Sequence, residues 1–252
     1  MDFSHFLYSS DNIPNGFGFE HFSPLHIFWV VLWIVLSVFC CLLYRRLGER
    51  GRRRMRLILM ILIVGDEIWK MAWLMSLGLY THSYLPFHLC SINIFLILFH
   101  TFKPTETVGN FFYIACMPTA AAAILFPTWT KLPFWNFMHL HSFSVHILLF
   151  IYPLMLIVGG DMKPRLRYLP RCLLLLIGLA LVAKGVNHLY GTNFMFLESA
   201  SKGNPLKLFE DLFGNHLIGF PVLGAAIILL LYGTPAMVRL IWRKAGYAQK
   251  TL

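Results

Sequence analysis

Charge is what this sequence has least of. Only 13% of its 252 residues are Asp, Glu, Lys or Arg, against about 25% in soluble domains. Acidic residues are the scarcest, 11 against 21 basic ones. There is no phosphate-binding glycine loop, no Cys-x-x-Cys pair and no His-Glu-x-x-His. No internal repeat or low-complexity segment is visible. Met1 to Phe22 holds Asp2, Asp11 and Glu20 but no basic residue, which excludes the charged start of a secretory signal. That stretch reads as a short surface segment (1–22) whose aromatics rest on a membrane interface. The five cysteines, Cys40, Cys41, Cys90, Cys116 and Cys172, are odd in number and fall in apolar runs. They do not form a disulfide framework.

What is abundant is apolar: 58% of the chain. A spanning helix needs about 20 residues to cross about 30 Å of hydrocarbon. Runs of that kind occur at Pro24–Tyr44, Leu57–Leu79, Leu85–Phe102, Val108–Phe126, Trp135–Val158, Leu169–Tyr190 and His216–Trp242. The expected fold is all-α, a polytopic membrane protein with a single bundle of about seven transmembrane helices over residues 23–244 and a short tail at 245–252. The charge of +10 does not suggest nucleic acid, because the basic residues sit in short loops. Sixteen lie in the first, third and fifth loops and the tail, such as Arg52, Arg56 and Arg165. Lys131, Lys202 and Lys207 are alone on the other side. This asymmetry predicts an N-terminus outside and a C-terminus in the cytoplasm of a cell-membrane protein. Pro86, Pro118, Pro153 and Pro221 lie in or beside spans, and each frees a carbonyl that a neighbour must satisfy.

Polar side chains inside spans are costly and point to function. Cys90 lies near the outer end of the third span, and His139, His141 and His146 lie along the fifth. A buried thiol resists ionisation, so a nucleophilic Cys90 needs a base from another helix. His88, two residues away, points elsewhere on a helix. By depth, Cys90 is nearer His141 or Ser142 than His146, by about one helical turn of 5.4 Å. A packing role for Cys90 and a hydrogen-bonding role for His146 remain the bland alternatives. Asp66, Glu67 and Lys70 share a face of the second span and neutralise one another, with Lys184 as a further partner; an ion or proton path is the sharper reading. Asn187 and Asn193, with His188 and Thr192, end the sixth span and offer donors on the Cys90 side. Bis-histidine haem through His100, His139, His146 or His188 lacks a spacing signature. No metal and no cofactor is expected.

Three segments then carry a resemblance: Leu85-Pro86-Phe87-His88-Leu89-Cys90; Ala123-Ile124-Leu125-Phe126-Pro127 with Leu132-Pro133-Phe134; and Ser144-Val145-His146-Ile147-Leu148-Leu149 with Tyr152-Pro153. In order and spacing, and with Gly191-Thr192-Asn193-Phe194-Met195-Phe196, they resemble bacterial membrane proteins related to human transmembrane protein 164. The resemblance implies a multi-pass acyltransferase with an essential cysteine and histidine, acting on a membrane phospholipid or lysophospholipid. His146 matches the family histidine. The vertebrate pattern has its cysteine where this chain has Phe87, so Cys90 would act from one turn further along the same helix face. The rival readings are a lipid or small-molecule transporter built on the intramembrane charges, and a histidine-based cofactor binder. No oligomeric state follows from the sequence.

Overall fold

The computed structural model describes residues 5–8, 12–14, 16–201 and 203–234. Among these every regular element is helical. They are α1 (Pro24–Arg46), α2 (Glu49–Ser76), α3 (Leu89–Phe102), α4 (Glu106–Phe111), a π-helical turn (Phe112–Cys116), α5 (Met117–Leu125), α6 (Phe137–Gly159), α7 (Leu169–Tyr190), α8 (Leu206–Phe213) and α9 (Gly219–Ile228). The chain divides into two compact units, Met1–Asn204 and Pro205–Leu252. The second holds α8 and α9. The expected tail at 245–252, the end of the last run to Trp242, and Asp2, Asp11 and Lys202 lie outside the described residues.

Among the described residues five segments are long and apolar enough to cross a membrane: α1, α4 through α5, α6, α7 with the turn before it, and α9 with its flanking turns. That measure does not reach the expected count of about seven, and the two remaining runs differ for separate reasons. The 28-residue α2 is long enough but opens with Glu49 and five arginines and carries Asp66, Glu67 and Lys70. The apolar α3 has only 14 residues, about 21 Å of helix. Its expected outer end, Leu85 to His88, is not helical.

In the first unit α6 is the central helix, packed against α1, α2, α3 and α5. Its core residues include Phe143, Leu149, Ile151 and Tyr152. Ala120 of the small-residue run on α5 is wholly buried where that helix closes on α6. Polarity is turned inward: His26, Asn93, Asn110, His139 and His141 are buried, while Val35, Phe39, Leu174 and Leu181 are exposed. That distribution fits lipid as the outer solvent.

The prolines behave as their chemistry demands. Pro153 cannot donate to the Leu149 carbonyl one turn back. The Cys116 thiol donates to that carbonyl instead, at 3.4 Å. Pro118 follows the π-helical turn, whose wider backbone accommodates the ring. Cys116 is therefore a structural thiol. Cys116→Ala leaves a buried acceptor unpaired, and a loss of about 1–3 kcal/mol is expected in thermal unfolding.

The N-terminal segment is less peripheral than its sequence suggests. Phe19 is buried against His139 and Phe143, whereas Phe22 is exposed. Phe19 N–H donates to the Thr130 carbonyl at 2.8 Å. A side chain at Gly18 would run into that same carbonyl, so only glycine permits this approach.

Candidate active site

Histidines on α6 are set by their partners. Asn136 caps the helix, accepting from Met138 N and His139 N. His139 donates through Nδ1 to the Leu132 carbonyl (3.1 Å) and accepts at Nε2 from the Trp29 indole (2.8 Å). His146 donates through Nδ1 to the Ser142 carbonyl at 2.5 Å, because a carbonyl can only accept. In the neutral ring this leaves the lone pair on Nε2. That atom lies 3.2 Å from the Cys90 sulfur. The thiol thus has an acceptor already in the tautomer a base requires. Both residues are partly buried.

The depth estimate that favoured His141 or Ser142 over His146 fails because α3 starts late. Leu79 to His88 holds only a short 3-10 turn (His82–Tyr84), and Cys90 is the second residue of α3. The sulfur therefore meets a histidine nine residues into α6. Irregular backbone at membrane depth is tolerated where protein covers it. Here Phe194 and Met195 pack against Leu85, Phe87 and Leu89. Phe87 is outside the helix and rests on Phe194, 5.6 Å between ring centroids. The expectation that Phe87 and Cys90 share a helix face is corrected accordingly.

The start of α3 leaves the N–H groups of Leu89, Cys90 and Ser91 without helical acceptors, since the first bond is Ile92 N to the His88 carbonyl. His88 is the residue before the helix. Its Nδ1 accepts from Met195 N at 3.3 Å, which ties the covering segment to the cysteine helix. Met195 and Phe196 hold φ of 55° and 58°, a left-handed conformation that non-glycine residues rarely adopt.

The charged residues of α2 gather beside the same end of α6. Lys70 Nζ is 2.6 Å from Glu67 Oε1, both nearly buried. His141 Nδ1 is 3.0 Å from Asp66 Oδ2, yet the geometry is not that of a hydrogen bond. His141 Nε2 is 3.9 Å from Glu67. Ser144 donates to Asp66 at 3.4 Å. Lys184 does not join this group. It pairs with Glu198 at 2.7 Å on the surface and holds that carboxyl below the usual carboxylate range.

Asn187 and Asn193 are hydrogen-bonded within residues 187–199 and not to the cysteine. Asn187 accepts from Thr192 and from Phe194 N and donates to the Phe194 carbonyl. Asn193 binds Ser199 and Glu198. Both shape the covering segment. His139 and His146 have both ring nitrogens engaged, and His100 contacts Tyr152 at 3.3 Å, so these rings do not present a free pair to a haem. Among the described residues no His, Cys, Asp or Glu group has the geometry of a metal site.

One residue escaped the sequence reading. Trp129, in the loop before α6, lies face to face with His146, ring centroids 5.4 Å apart and planes 15° apart. Nothing in the local sequence links a loop tryptophan to a histidine 17 positions later; only the return of the chain brings them together.

No curated protein and no solved structure matches this chain. A family profile does, that of the TMEM164 family, over residues 20–232. The matched stretch includes α1 through α9 and both members of the sulfur–imidazole contact. With most of its length covered, and with helices apolar enough to make it a multi-pass membrane protein, the chain belongs to the TMEM164 family.

Proposed function

We propose that this protein is an intramembrane acyltransferase, or acyl-ester hydrolase, acting on glycerophospholipid acyl chains. The observation that carries the reading is the 3.2 Å contact between Cys90 and the lone-pair nitrogen of His146. In the reaction, His146 Nε2 takes the thiol proton as the sulfur attacks the ester carbonyl carbon. The C–O bond breaks, His146 returns the proton to the departing lysolipid oxygen, and the acyl group remains on sulfur as a thioester. A lysolipid hydroxyl or water then loses its proton to His146 and attacks the thioester carbonyl. The sulfur leaves as thiolate and regains the proton. The N–H groups at the start of α3, which no helical carbonyl accepts, are suited to the oxyanion of both steps. His88 supports the helix start, and His141 supports α6 against Asp66.

In this reading all seven apolar runs cross a cell membrane, with the N-terminus outside, and the site occupies the outer half of the bilayer. The acyl chain lies between helices. A transporter built on Asp66, Glu67 and Lys70 is the alternative, favoured only by their burial inside a membrane domain.

The test uses purified protein in lipid vesicles and a thiol-directed acylating probe. The adduct is expected on Cys90 and absent from Cys90→Ala, with at least a ~1,000-fold loss of acyl transfer, as for an essential nucleophile. Equal labelling or equal transfer in the two proteins sinks the enzyme reading.

A further inference from the structure

Trp129 combines three features that its own packing does not require. Its ring covers the face of His146, and it meets Phe143 in a T-shaped contact at 5.3 Å and 80°. Phe143 is three residues before His146 on α6 and stacks on Trp29 at 4.7 Å and 1°. An aromatic pile from α1 through α6 thus ends on the histidine. The loop is fixed from both sides. Leu132 N–H donates to the Trp129 carbonyl, and the Leu132 carbonyl accepts from His139. The neighbouring Thr130 carbonyl accepts from Phe19 N–H. Finally, the indole Nε1–H is buried without a hydrogen-bond partner. A placement that leaves a donor unpaired is costly, so hydrogen bonding is not what puts the ring there.

An aromatic face within about 6 Å attracts a cation, and tryptophan does so best. His146 carries positive charge only after taking the thiol proton. We propose that Trp129 is a positioning residue for the sulfur–imidazole pair: it holds the imidazole edge toward Cys90 and stabilises the imidazolium that forms with the thiolate. This rests on the pairing of Cys90 with His146 proposed above. The other titratable groups around the ring are Cys90 and His88 at the start of α3, Lys70 with Glu67 and Asp66 on α2, and His141 on α6 itself. Cys116, ahead of α5, donates to the Leu149 carbonyl. His26 on α1 is bonded to the Ile124 carbonyl.

The pH dependence follows from which species the stack favours. At neutral pH the pair holds one proton, on sulfur or on nitrogen. Losing the stack lowers the share with thiolate and imidazolium. In alkaline solution the thiol ionises without help from His146, and the stack no longer matters.

The test is the rate of Cys90 alkylation by iodoacetamide across pH, in vesicles, for wild type, Trp129→Phe and Trp129→Leu, with Cys90→Ala as background. Trp129→Leu is expected to react about tenfold more slowly at neutral pH, in line with a desolvated cation–π contact, and as fast as wild type in alkali. Trp129→Phe keeps a face and is expected to fall between them. A leucine variant that matches wild type at neutral pH overturns the proposal. So does one that is slower by the same factor at every pH, which marks altered access to the thiol. A wild-type Cys90 that reacts only in alkali overturns the pairing itself, a result distinct from both.

Discussion

His146→Ala is expected to slow acylation of Cys90 by about 10²–10⁴-fold, the usual contribution of a positioned acid–base group. The size follows from how completely Nε2 is committed. Its partner nitrogen is bonded to the Ser142 carbonyl, so the lone pair faces the sulfur and nothing else. Thr119, anchored on the Ala115 and Cys116 carbonyls, also reaches this thiol, but a hydroxyl is no base at neutral pH, so His146 is the one proton acceptor among these contacts. The alanine variant also opens space beneath Trp129. His146→Phe fills that space and offers no base, and it is expected to be as slow as alanine. Both should regain rate in alkali, where hydroxide replaces the imidazole as proton acceptor. A phenylalanine variant within about tenfold of wild type at neutral pH would remove the base assignment while leaving a role for Cys90.

Lys70→Met is expected to lower stability by about 3–5 kcal/mol, because it leaves the Glu67 carboxylate buried without its counter-charge. The two atoms are 2.6 Å apart, and both side chains are about nine-tenths buried. Glu67→Gln should cost a similar amount by stranding the ammonium. The double variant Glu67→Gln, Lys70→Met removes both charges and should recover most of the loss, since a buried pair is seldom worth more than its neutral replacement. Thermal unfolding in vesicles measures all three. The same set separates the two functional readings. An acyltransferase whose α2 charges are structural retains thioester formation in the double variant. A transporter that uses them loses transport in the double variant and keeps it in Cys90→Ala.

Much of the architecture was legible in order of residues alone. An apolar run of about 20 residues must satisfy its backbone internally, and in lipid that means a helix. The spans at α1, α6 and α7 and the line through α4 and α5 followed from this. So did the need for a donor opposite Pro153, although not that Cys116 would supply it. The third apolar run differs from expectation at its N-terminal end for a physical reason. Leu85, Phe87 and Leu89 are apolar enough for a lipid-facing helix, but they are apolar because Phe194 and Met195 cover them. Hydropathy does not distinguish burial in lipid from burial in protein. Lys184 was misassigned for a related reason: its register on α7 was known, but its partner Glu198 comes from a turn whose path no periodicity describes.

Composition and pattern by themselves determined the class of solvent and the helical content, because burial of backbone in lipid leaves a chain few alternatives to the helix. Which polar side chains meet inside the bundle was decided by tertiary structure alone. Cys90 and His146 are 56 positions apart, and their contact depends on where α3 begins and how it leans on α6. The tautomer of His146 depends on one carbonyl, and its cover on a loop held by Phe19 and His139. Angles between helices and the paths of loops arise from packing many side chains at once, and no local run of sequence encodes them.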